Sequence, residues 1–248
     1  MHNIRFDPGE LPPAARALRD EVRAFLREEL TPHGPTPRAI SWGTSFDRAF
    51  SRKVGARGWI GMTWPKRYGG AERSALERWV VQEEMLAAGA PCMGHWLADR
   101  QYGPMLLKFG TEAQREAFLP GMVRGEVMFS IGMSEPDAGS DLAGVRTKAV
   151  RVDGGWEISG TKVWTTGAHL ADYALALVRT GGPEAQKHAG LSQFIVDLKS
   201  PGVTVRPIRD LIGHHHFNEV HFERAFVPSD RMVGAEGDGW KQVTNELA

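Results

Sequence analysis

The chain has 248 residues, 42% of them apolar, and its formal net charge at pH 7 is +0. This length fits one large domain or two ordinary ones, with enough apolar side chains for a substantial core. Because no long block of one charge sign occurs, the composition does not favour a partner such as nucleic acid or an anionic membrane.

Cysteine content and the first residues bear on the compartment. The single cysteine, Cys92, excludes an internal disulfide and a multi-thiolate metal site, and it suits a reducing environment. Residues 1–16 contain no apolar signal core, and Asp7 and Glu10 argue against a transit peptide. No window approaches the length of a membrane span. We therefore expect a soluble cytoplasmic protein.

The first half of the chain has the apolar period of helices. Near its start, apolar residues recur at spacings of three and four: Leu11, Ala15, Leu18, Val22, Phe25, Leu26 and Leu30. Two further segments, Ser74–Glu77 and Thr111–Gln114, match the capping box that begins a helix. Between helices, the loop Trp64–Gly70 contains a proline and two glycines that interrupt the pattern.

After about residue 126 the apolar period changes to two, which is typical of strands. Val145, Thr147 and Ala149 alternate with charged residues, and the turn Asp153–Gly155 predicts a hairpin. Further candidate strands are 173–178, 194–198, 203–208 and 219–226. Short strands separated by Gly, Pro and Asp predict a compact antiparallel barrel or sandwich.

The chain is therefore expected to be α+β, with helices first and strands second. We expect an N-terminal helical domain over 1–125, an antiparallel β-barrel-like domain over 126–234, and the start of a C-terminal helical domain over 235–248. In this last segment Trp240, Val243 and Leu247 share one helix face. That face needs a covering, either from helices of a longer chain or from another subunit.

Two motifs in the second half carry candidate chemistry. An apolar run, 127–133, ends in a polar turn that reads Met133-Ser134-Glu135-Pro136-Asp137-Ala138-Gly139-Ser140-Asp141. A strand that ends in exposed N–H groups and hydroxyls suits a polar planar ligand or an anion, although turn formers alone also explain the segment. The second motif is Gly160-Thr161-Lys162-Val163-Trp164-Thr165-Thr166.

With both motifs at this separation, the sequence resembles the acyl-CoA dehydrogenase family of flavoproteins. The second motif differs from the family pattern in having Thr165 in place of isoleucine. Further resemblances are Tyr68–Gly70, Lys108–Thr111 and Val227–Gly234. The resemblance runs from about residue 11 to the end.

This resemblance implies an FAD whose ring system sits against the β-domain. Matching the motifs position by position implies these cofactor contacts: Ile131, Met133, Ser134, Gly139, Ser140, Trp164, Thr165 and Thr166. Ser140 also matches a position that contacts the substrate thioester. Preorganised N–H and O–H donors beside the ring would stabilise the negative charge that develops during hydride transfer. The implied reaction is α,β-dehydrogenation of an acyl-CoA, with electrons passing to an electron-transferring flavoprotein, in a homo- or hetero-oligomer.

The family's catalytic base is a glutamate of the C-terminal helical region, so we expect no catalytic base within 1–248. Glu135 and Asp141 are interpreted as structural, with Asp141 binding backbone N–H groups of its own loop. Two alternatives stay open. One is a flavin oxidase or monooxygenase on the same scaffold, and the other is a non-catalytic partial subunit whose partner chain carries the base.

A run of three histidines, His214–His216, raises the possibility of a metal site. Adjacent residues of an extended segment point to opposite sides, so three in a row do not converge on one ion. With no carboxylate or thiolate seen at ligand spacing, we interpret the run as a polar loop and expect no metal.

Overall fold

The computed structural model of the chain describes residues 9–30, 45–182 and 187–247. Asp7, one of the two acidic residues that disfavour a transit peptide, lies outside the described residues. The side chain of Leu247, which was assigned to the last helix face, also lies outside them.

The N-terminal half is helical, as predicted. Its elements are α1 (Pro13–Glu29), α2 (Arg48–Ala56), α3 (Ala75–Ala87), α4 (Met93–Leu97), a π-helical turn (Ala98–Tyr102), α5 (Gly103–Phe109) and α6 (Glu112–Val123). The apolar stripe of α1 is buried from Ala15 to Leu26, which confirms its amphipathic assignment. It packs mainly against α3.

Both predicted capping boxes are present. The hydroxyl of Ser74 accepts a hydrogen bond from the N–H of Glu77, whose carboxylate accepts one from the N–H of Ser74. Thr111 and Gln114 make the same reciprocal pair. Because each box satisfies N–H groups that a helix start leaves unpaired, the sequence fixes where α3 and α6 begin.

In its described residues, the second half forms a sheet of eight strands: β1 (Phe129–Gly132), β2 (Lys148–Val152), β3 (Gly155–Lys162), β4 (Tyr173–Arg179), β5 (Leu191–Asp197), β6 (Val203–Arg209), β7 (His215–Pro228) and β8 (Met232–Val233). The order is β6-β7-β3-β2-β4-β5-β8, with β1 paired to β4. The predicted hairpin is β2–β3, whose turn contains Gly154 at a φ of +74°. A positive φ of this size favours glycine.

The barrel-like expectation needs a correction. Most neighbouring strands are antiparallel, but β1 and β2 each pair with β4 in parallel. The described strands follow an open path from β6 to β8 and do not form a closed ring. The sequence pattern predicted strands, but β4 and β5 are buried along almost their whole length instead of alternating. The pattern also carried no signal for whether the sheet closes.

The helices and the sheet share a core. One apolar cluster joins Trp64, Tyr102 and Phe118 of the helical half to Phe129 and Leu175 of the sheet. The ring of Phe129 contacts those of Tyr102 and Phe118, with centroid distances of 5.4 Å and 5.3 Å. The N-terminal end of β1 is therefore fixed against helices before the strand reaches its polar turn.

The last helix, α7 (Gly239–Leu247), packs against β5 and α5. Val243 is buried, and the amide of Gln242 donates to the carbonyl of Val233 at 2.7 Å. Glu246 is also buried and accepts a hydrogen bond from Gln193 at 3.1 Å. Within the three described ranges, none of the helices has the length and apolar character needed to cross a bilayer.

Candidate active site

A cleft of about 300 Å³ lies where the end of β1 faces the π-helical turn. Its lining residues are Trp96, Leu97, Arg100, Gln101, Tyr102, Ile131, Met133, Ser134, Val163, Trp164 and Thr166. Five of the eight predicted cofactor contacts are among them, and these five come from two motifs that are separate in the sequence. The fold therefore brings both motifs to one surface.

Trp164 is the most unusual residue of this cleft. Its side chain is 58% exposed, and its backbone has a φ of +58°. A bulky residue in this left-handed region carries strain, which costs on the order of 1–3 kcal/mol. The ring packs edge-on against Phe217, with centroids 5.8 Å apart. An exposed large aromatic held in a strained conformation is expected where a ligand covers it.

A buried ion pair stands behind the polar turn. The ammonium of Lys162, which is 0% exposed, donates to Glu135 at 2.8 Å and to the carbonyl of Met133 at 3.0 Å. Glu135 also accepts the backbone N–H groups of Arg146 and Thr147. This network holds the backbone of Met133 against β3, and it supports the structural interpretation of Glu135.

The pKa values of the pair follow from burial and mutual attraction. Burial lowers the pKa of Lys162 to about 8, against the opposing effect of the Glu135 carboxylate. For Glu135, burial raises the pKa, but the Lys162 ammonium and the Arg146 N–H outweigh it, so the net pKa is below the usual value. Glu135 is therefore a charged anchor at neutral pH and not a proton-accepting base.

The remaining predicted contacts lie outside the cleft. Thr165 is fully buried, and its N–H donates to the carbonyl of Asn218. Gly139 and Ser140 are exposed on the polar turn. Among the described residues, the carboxylate of Asp141 accepts hydrogen bonds from Lys187, one on each oxygen at 2.7 Å, and not from N–H groups of its own loop, so that expectation is wrong.

The helical wall of the cleft was missed in the sequence. Arg100, Gln101 and Tyr102 occupy the π-helical turn, and the Arg100 guanidinium lies 5.3 Å from the ring centroid of Trp96. Single π-helical turns interrupt α-helices frequently at functional sites. The apolar period of this stretch predicts a helix but carries no signal for the extra residue per turn.

Two models of known protein families match most of the chain. Residues 12–126 match the family "Acyl-CoA dehydrogenase, N-terminal domain", and residues 130–225 match "Acyl-CoA dehydrogenase, middle domain". The chain belongs to the acyl-CoA dehydrogenase family. This confirms the resemblance carried by the two motifs.

Individual relatives agree with this assignment. The chain is 39% identical to acyl-CoA dehydrogenase FadE29 of Mycobacterium tuberculosis over 238 residues, covering 96% of this chain and 61% of the relative. The solved "Tcur3481-Tcur3483 steroid ACAD" is 36% identical with a TM-score of 0.86, covering 96% of this chain and 61% of that one. The ChsE4-ChsE5 complex of Mycobacterium tuberculosis is 35% identical with a TM-score of 0.83, covering 97% and 61%. The chain thus spans about three fifths of the length of these relatives.

In this acyl-CoA dehydrogenase fold, Asp99 positions the helical wall. Its carboxylate accepts the N–H of Gly61 at 2.8 Å and the amide of Gln82 at 2.7 Å, and it also pairs with Arg78. Burial raises the pKa of Asp99, with partial offset from Arg78. Asp99 lies within the π-helical turn, directly before Arg100. Its hydrogen bonds therefore connect this turn to α3 and to the loop after α2.

Replacing Asp99 with asparagine should lower the free energy of unfolding by about 1–3 kcal/mol. The amide oxygen can still accept from Gly61, but the charge-assisted bond to Arg78 is lost. Urea denaturation followed by circular dichroism measures this change. The matched variant Asp137→Asn removes an exposed carboxylate on the polar turn and should alter stability by less than about 0.5 kcal/mol. Equal effects of both variants would contradict the anchoring role.

Proposed function

We propose that this chain binds the ring system of FAD in the cleft beside Trp164 and supplies the flavin-holding part of an acyl-CoA dehydrogenase active site. The observation that supports this most strongly is the meeting of Ile131, Met133 and Ser134 with Trp164 and Thr166 around one cleft. When bound, FAD supplies a two-electron acceptor for the α,β-dehydrogenation of an acyl-CoA thioester.

The residues of the cleft fit a planar polar ring. Ser134 and Thr166 offer hydroxyl donors, Arg100 offers a positive charge, and Trp164 offers an exposed aromatic surface. Donors and positive charge placed before the reaction favour a group that gains negative charge. The ion pair of Lys162 with Glu135 keeps the backbone of Met133 in place, so that the polar edge needs little rearrangement when a ligand binds.

Gly139 supports a ligand at the polar turn. Apart from its two chain neighbours, none of the described residues places a heavy atom within 4 Å of the position that a Cβ would take, and the φ of Gly139 is not in the left-handed region. The chain's own packing therefore does not require glycine here. A ligand that approaches the backbone closely, such as the ribityl–pyrophosphate part of FAD, accounts for the small side chain. Ser140, next to it, is proposed to contact both FAD and the substrate thioester.

Thr165 is assigned a supporting role. Its N–H and carbonyl both bind Asn218, at 2.9 and 3.0 Å. The side chain faces the protein interior, so we propose that it contributes to flavin binding by fixing the backbone between Trp164 and Thr166. The predicted division at residues 125 and 234 is retained in this proposal, with the flavin cleft between the first two units.

The base that removes the α-proton is proposed to lie outside this chain, since none of the described residues that line the cleft carries a carboxylate. Of the similar solved structures, one is described as a complex and another as a steroid ACAD. We therefore propose a homo- or hetero-oligomer acting on an acyl-CoA, with steroid-derived thioesters as the first class to test. An electron-transferring flavoprotein as acceptor and a cytoplasmic location complete the proposal.

The test is FAD uptake followed by anaerobic reduction. Purified protein mixed with FAD should retain a visible flavin band after gel filtration, and an acyl-CoA should bleach it once the base-bearing partner or segment is supplied. Colourless protein that takes up no FAD would contradict the proposal. Rapid peroxide formation in air, with no acyl-CoA specificity, would favour an oxidase over a dehydrogenase.

Replacing Trp164 with alanine should weaken FAD binding by about tenfold or more, since stacking on an aromatic ring contributes about 1–3 kcal/mol. The free energy of unfolding should change by no more than about 1 kcal/mol, because the side chain is largely exposed. Flavin fluorescence titration and urea denaturation measure the two effects. Trp79→Ala is the control, since Trp79 is 48% exposed and lies on α3 away from the cleft. Unchanged FAD affinity in Trp164→Ala would place the flavin elsewhere.

A further inference from the structure

The three consecutive histidines at the start of β7, His214–His216, do not act as a unit. Backbone alternation directs His214 and His216 to one side of the segment and His215 to the other. On the first side they meet Asp210, whose Oδ2 lies 3.9 Å from the Nδ1 atom of each imidazole. One ligand-type atom from each of these three residues lies within 4.8 Å of the other two.

Asp210 corrects the expectation that no carboxylate stands at ligand spacing. It lies in the tight turn between β6 and β7, where its Oδ1 accepts the N–H groups of Ile212 and His214 at 3.0 and 2.8 Å. Its backbone N–H donates to the carbonyl of His214 at 3.1 Å. Because the turn uses Oδ1, Oδ2 is left facing the two imidazoles.

His216 adds a second indication. Its side chain is only 14% exposed, and its Nδ1 is a buried nitrogen with no hydrogen-bond partner among the described residues. A buried imidazole nitrogen without a partner loses the hydrogen bond that water would provide. Occupation by a cation on the Asp210 side would satisfy it.

We propose that Asp210, His214 and His216 form a binding site for a divalent metal ion of the Zn²⁺ class. Two imidazoles and one carboxylate are ligands that Zn²⁺ accepts, with water at a fourth position. A tetrahedral ion at bond lengths of about 2.1 Å brings its ligand atoms to about 3.4 Å from one another. Side-chain rotations that move the ligand atoms by on the order of 1 Å therefore complete the site. Surface exposure of His214, at 51%, leaves a path for entry.

The site is separate from the flavin cleft but connected to it. The carbonyl of His216 accepts the N–H of Gly167, and the next residue, Phe217, packs against Trp164. An ion that joins the β6–β7 turn to the start of β7 would restrict the strand segment that supports Trp164. We assign it a structural role, which does not depend on the proposed dehydrogenase activity.

His215 provides a matched control within the same three residues. Its ring stacks on His169 with centroids 3.9 Å apart, and its Nε2 lies 2.8 Å from the amide oxygen of Asn218. It therefore faces away from Asp210. His215→Gln removes one histidine from this segment, as His214→Gln and His216→Gln do, but it leaves the three proposed ligands in place.

The experiment is isothermal titration of tag-free, metal-stripped protein with ZnCl₂. We expect one saturable site, with affinity at least about tenfold lower in His214→Gln and His216→Gln, and unchanged in His215→Gln. Asp210→Asn keeps an oxygen for the turn and should also weaken binding. Circular dichroism of each metal-free variant establishes that it is folded. In thermal denaturation, Zn²⁺ should raise the Tm of the original protein and of His215→Gln but not that of His216→Gln.

Two results would overturn the proposal. One is the absence of saturable Zn²⁺ binding by the folded, metal-free protein. The other is a loss of affinity in His215→Gln as large as that in His216→Gln, which would indicate unspecific binding to surface imidazoles. Neither result bears on FAD uptake.

Discussion

Replacing Lys162 with methionine should lower the free energy of unfolding by about 3–5 kcal/mol. Methionine fills a similar volume but leaves Glu135 charged and buried without its ammonium partner. The carbonyl of Met133 also loses a donor at 3.0 Å. Because this carbonyl lies at the end of β1, the loss acts directly on the edge of the proposed flavin cleft. Urea denaturation at pH 7 measures this change in the free energy of unfolding.

A double-mutant cycle separates the ion pair from general packing. Glu135→Gln keeps an oxygen for the N–H groups of Arg146 and Thr147 while removing the charge. The double variant should be less destabilised than the sum of the two single variants, with a coupling energy of about 1–3 kcal/mol. Additive effects would show that the two side chains stabilise the fold independently, and the anchoring of Met133 by the pair would then be wrong.

The Lys162–Glu135 ion pair should also affect FAD binding, separately from its effect on the stability of the fold. If Lys162 positions the polar edge, Lys162→Met should weaken FAD binding even under conditions where the variant is fully folded. Lys162→Arg, which keeps the positive charge but not the shape, should recover stability only in part, because a buried site of this size fits an ammonium better than a guanidinium. Full FAD affinity in folded Lys162→Met would limit the residue to a purely structural role.

Features that depend on neighbouring residues were predictable from the sequence. Apolar spacing located α1, the two capping boxes located the starts of α3 and α6, and the turn at Asp153–Gly155 located the β2–β3 hairpin. Each of these is set by side chains within a few positions of one another. The two family motifs likewise identified the end of β1 and the residues that follow β1 and β3 as the source of one wall of the cleft.

Features that depend on distant residues were not predictable. The partner of Asp141 is Lys187, 46 positions away, and no local rule selects it over the loop's own N–H groups. The parallel pairing of β1 with β4 depends on chain crossing rather than on strand sequence. Asp210 and His216 meet only because a tight turn reverses the chain between them. The π-helical wall is the same kind of case, since a helical period does not record one extra residue in a turn.

Glu246 connects the last helix, α7, to the proposed flavin cleft, because it lies behind Tyr102, which lines that cleft. It is 8% exposed, and burial raises its pKa to about 8, despite one hydrogen bond from Gln193. Burial also raises the pKa of the Tyr102 hydroxyl, with a further contribution from Glu246. The carboxyl group of Glu246 is therefore expected to be protonated through the acidic and neutral range in the folded chain.

Stability of the chain should fall as the pH rises from 5 to 8, and Glu246→Gln should remove much of that fall. The folded state holds the Glu246 proton up to about pH 8, whereas the unfolded chain releases it near 4.5. Each pH unit between these values corresponds to about 1.4 kcal/mol, so the carboxyl group accounts for a loss on the order of 5 kcal/mol that is complete only above the folded pKa. Glutamine resembles the protonated acid, so the variant should match the original chain at pH 5 and exceed its stability at pH 8.

Urea denaturation at pH 5, 6, 7 and 8 tests this prediction, with Glu116→Gln as the control because Glu116 is exposed on α6. The control should follow the original chain at every pH, whereas Glu246→Gln should diverge from it progressively above pH 5. Parallel curves for the original chain and Glu246→Gln would mean that Glu246 reaches water or a cationic partner in solution. In that case the helix end behind Tyr102 would be open, and the cleft would have a less rigid wall than its buried contacts imply.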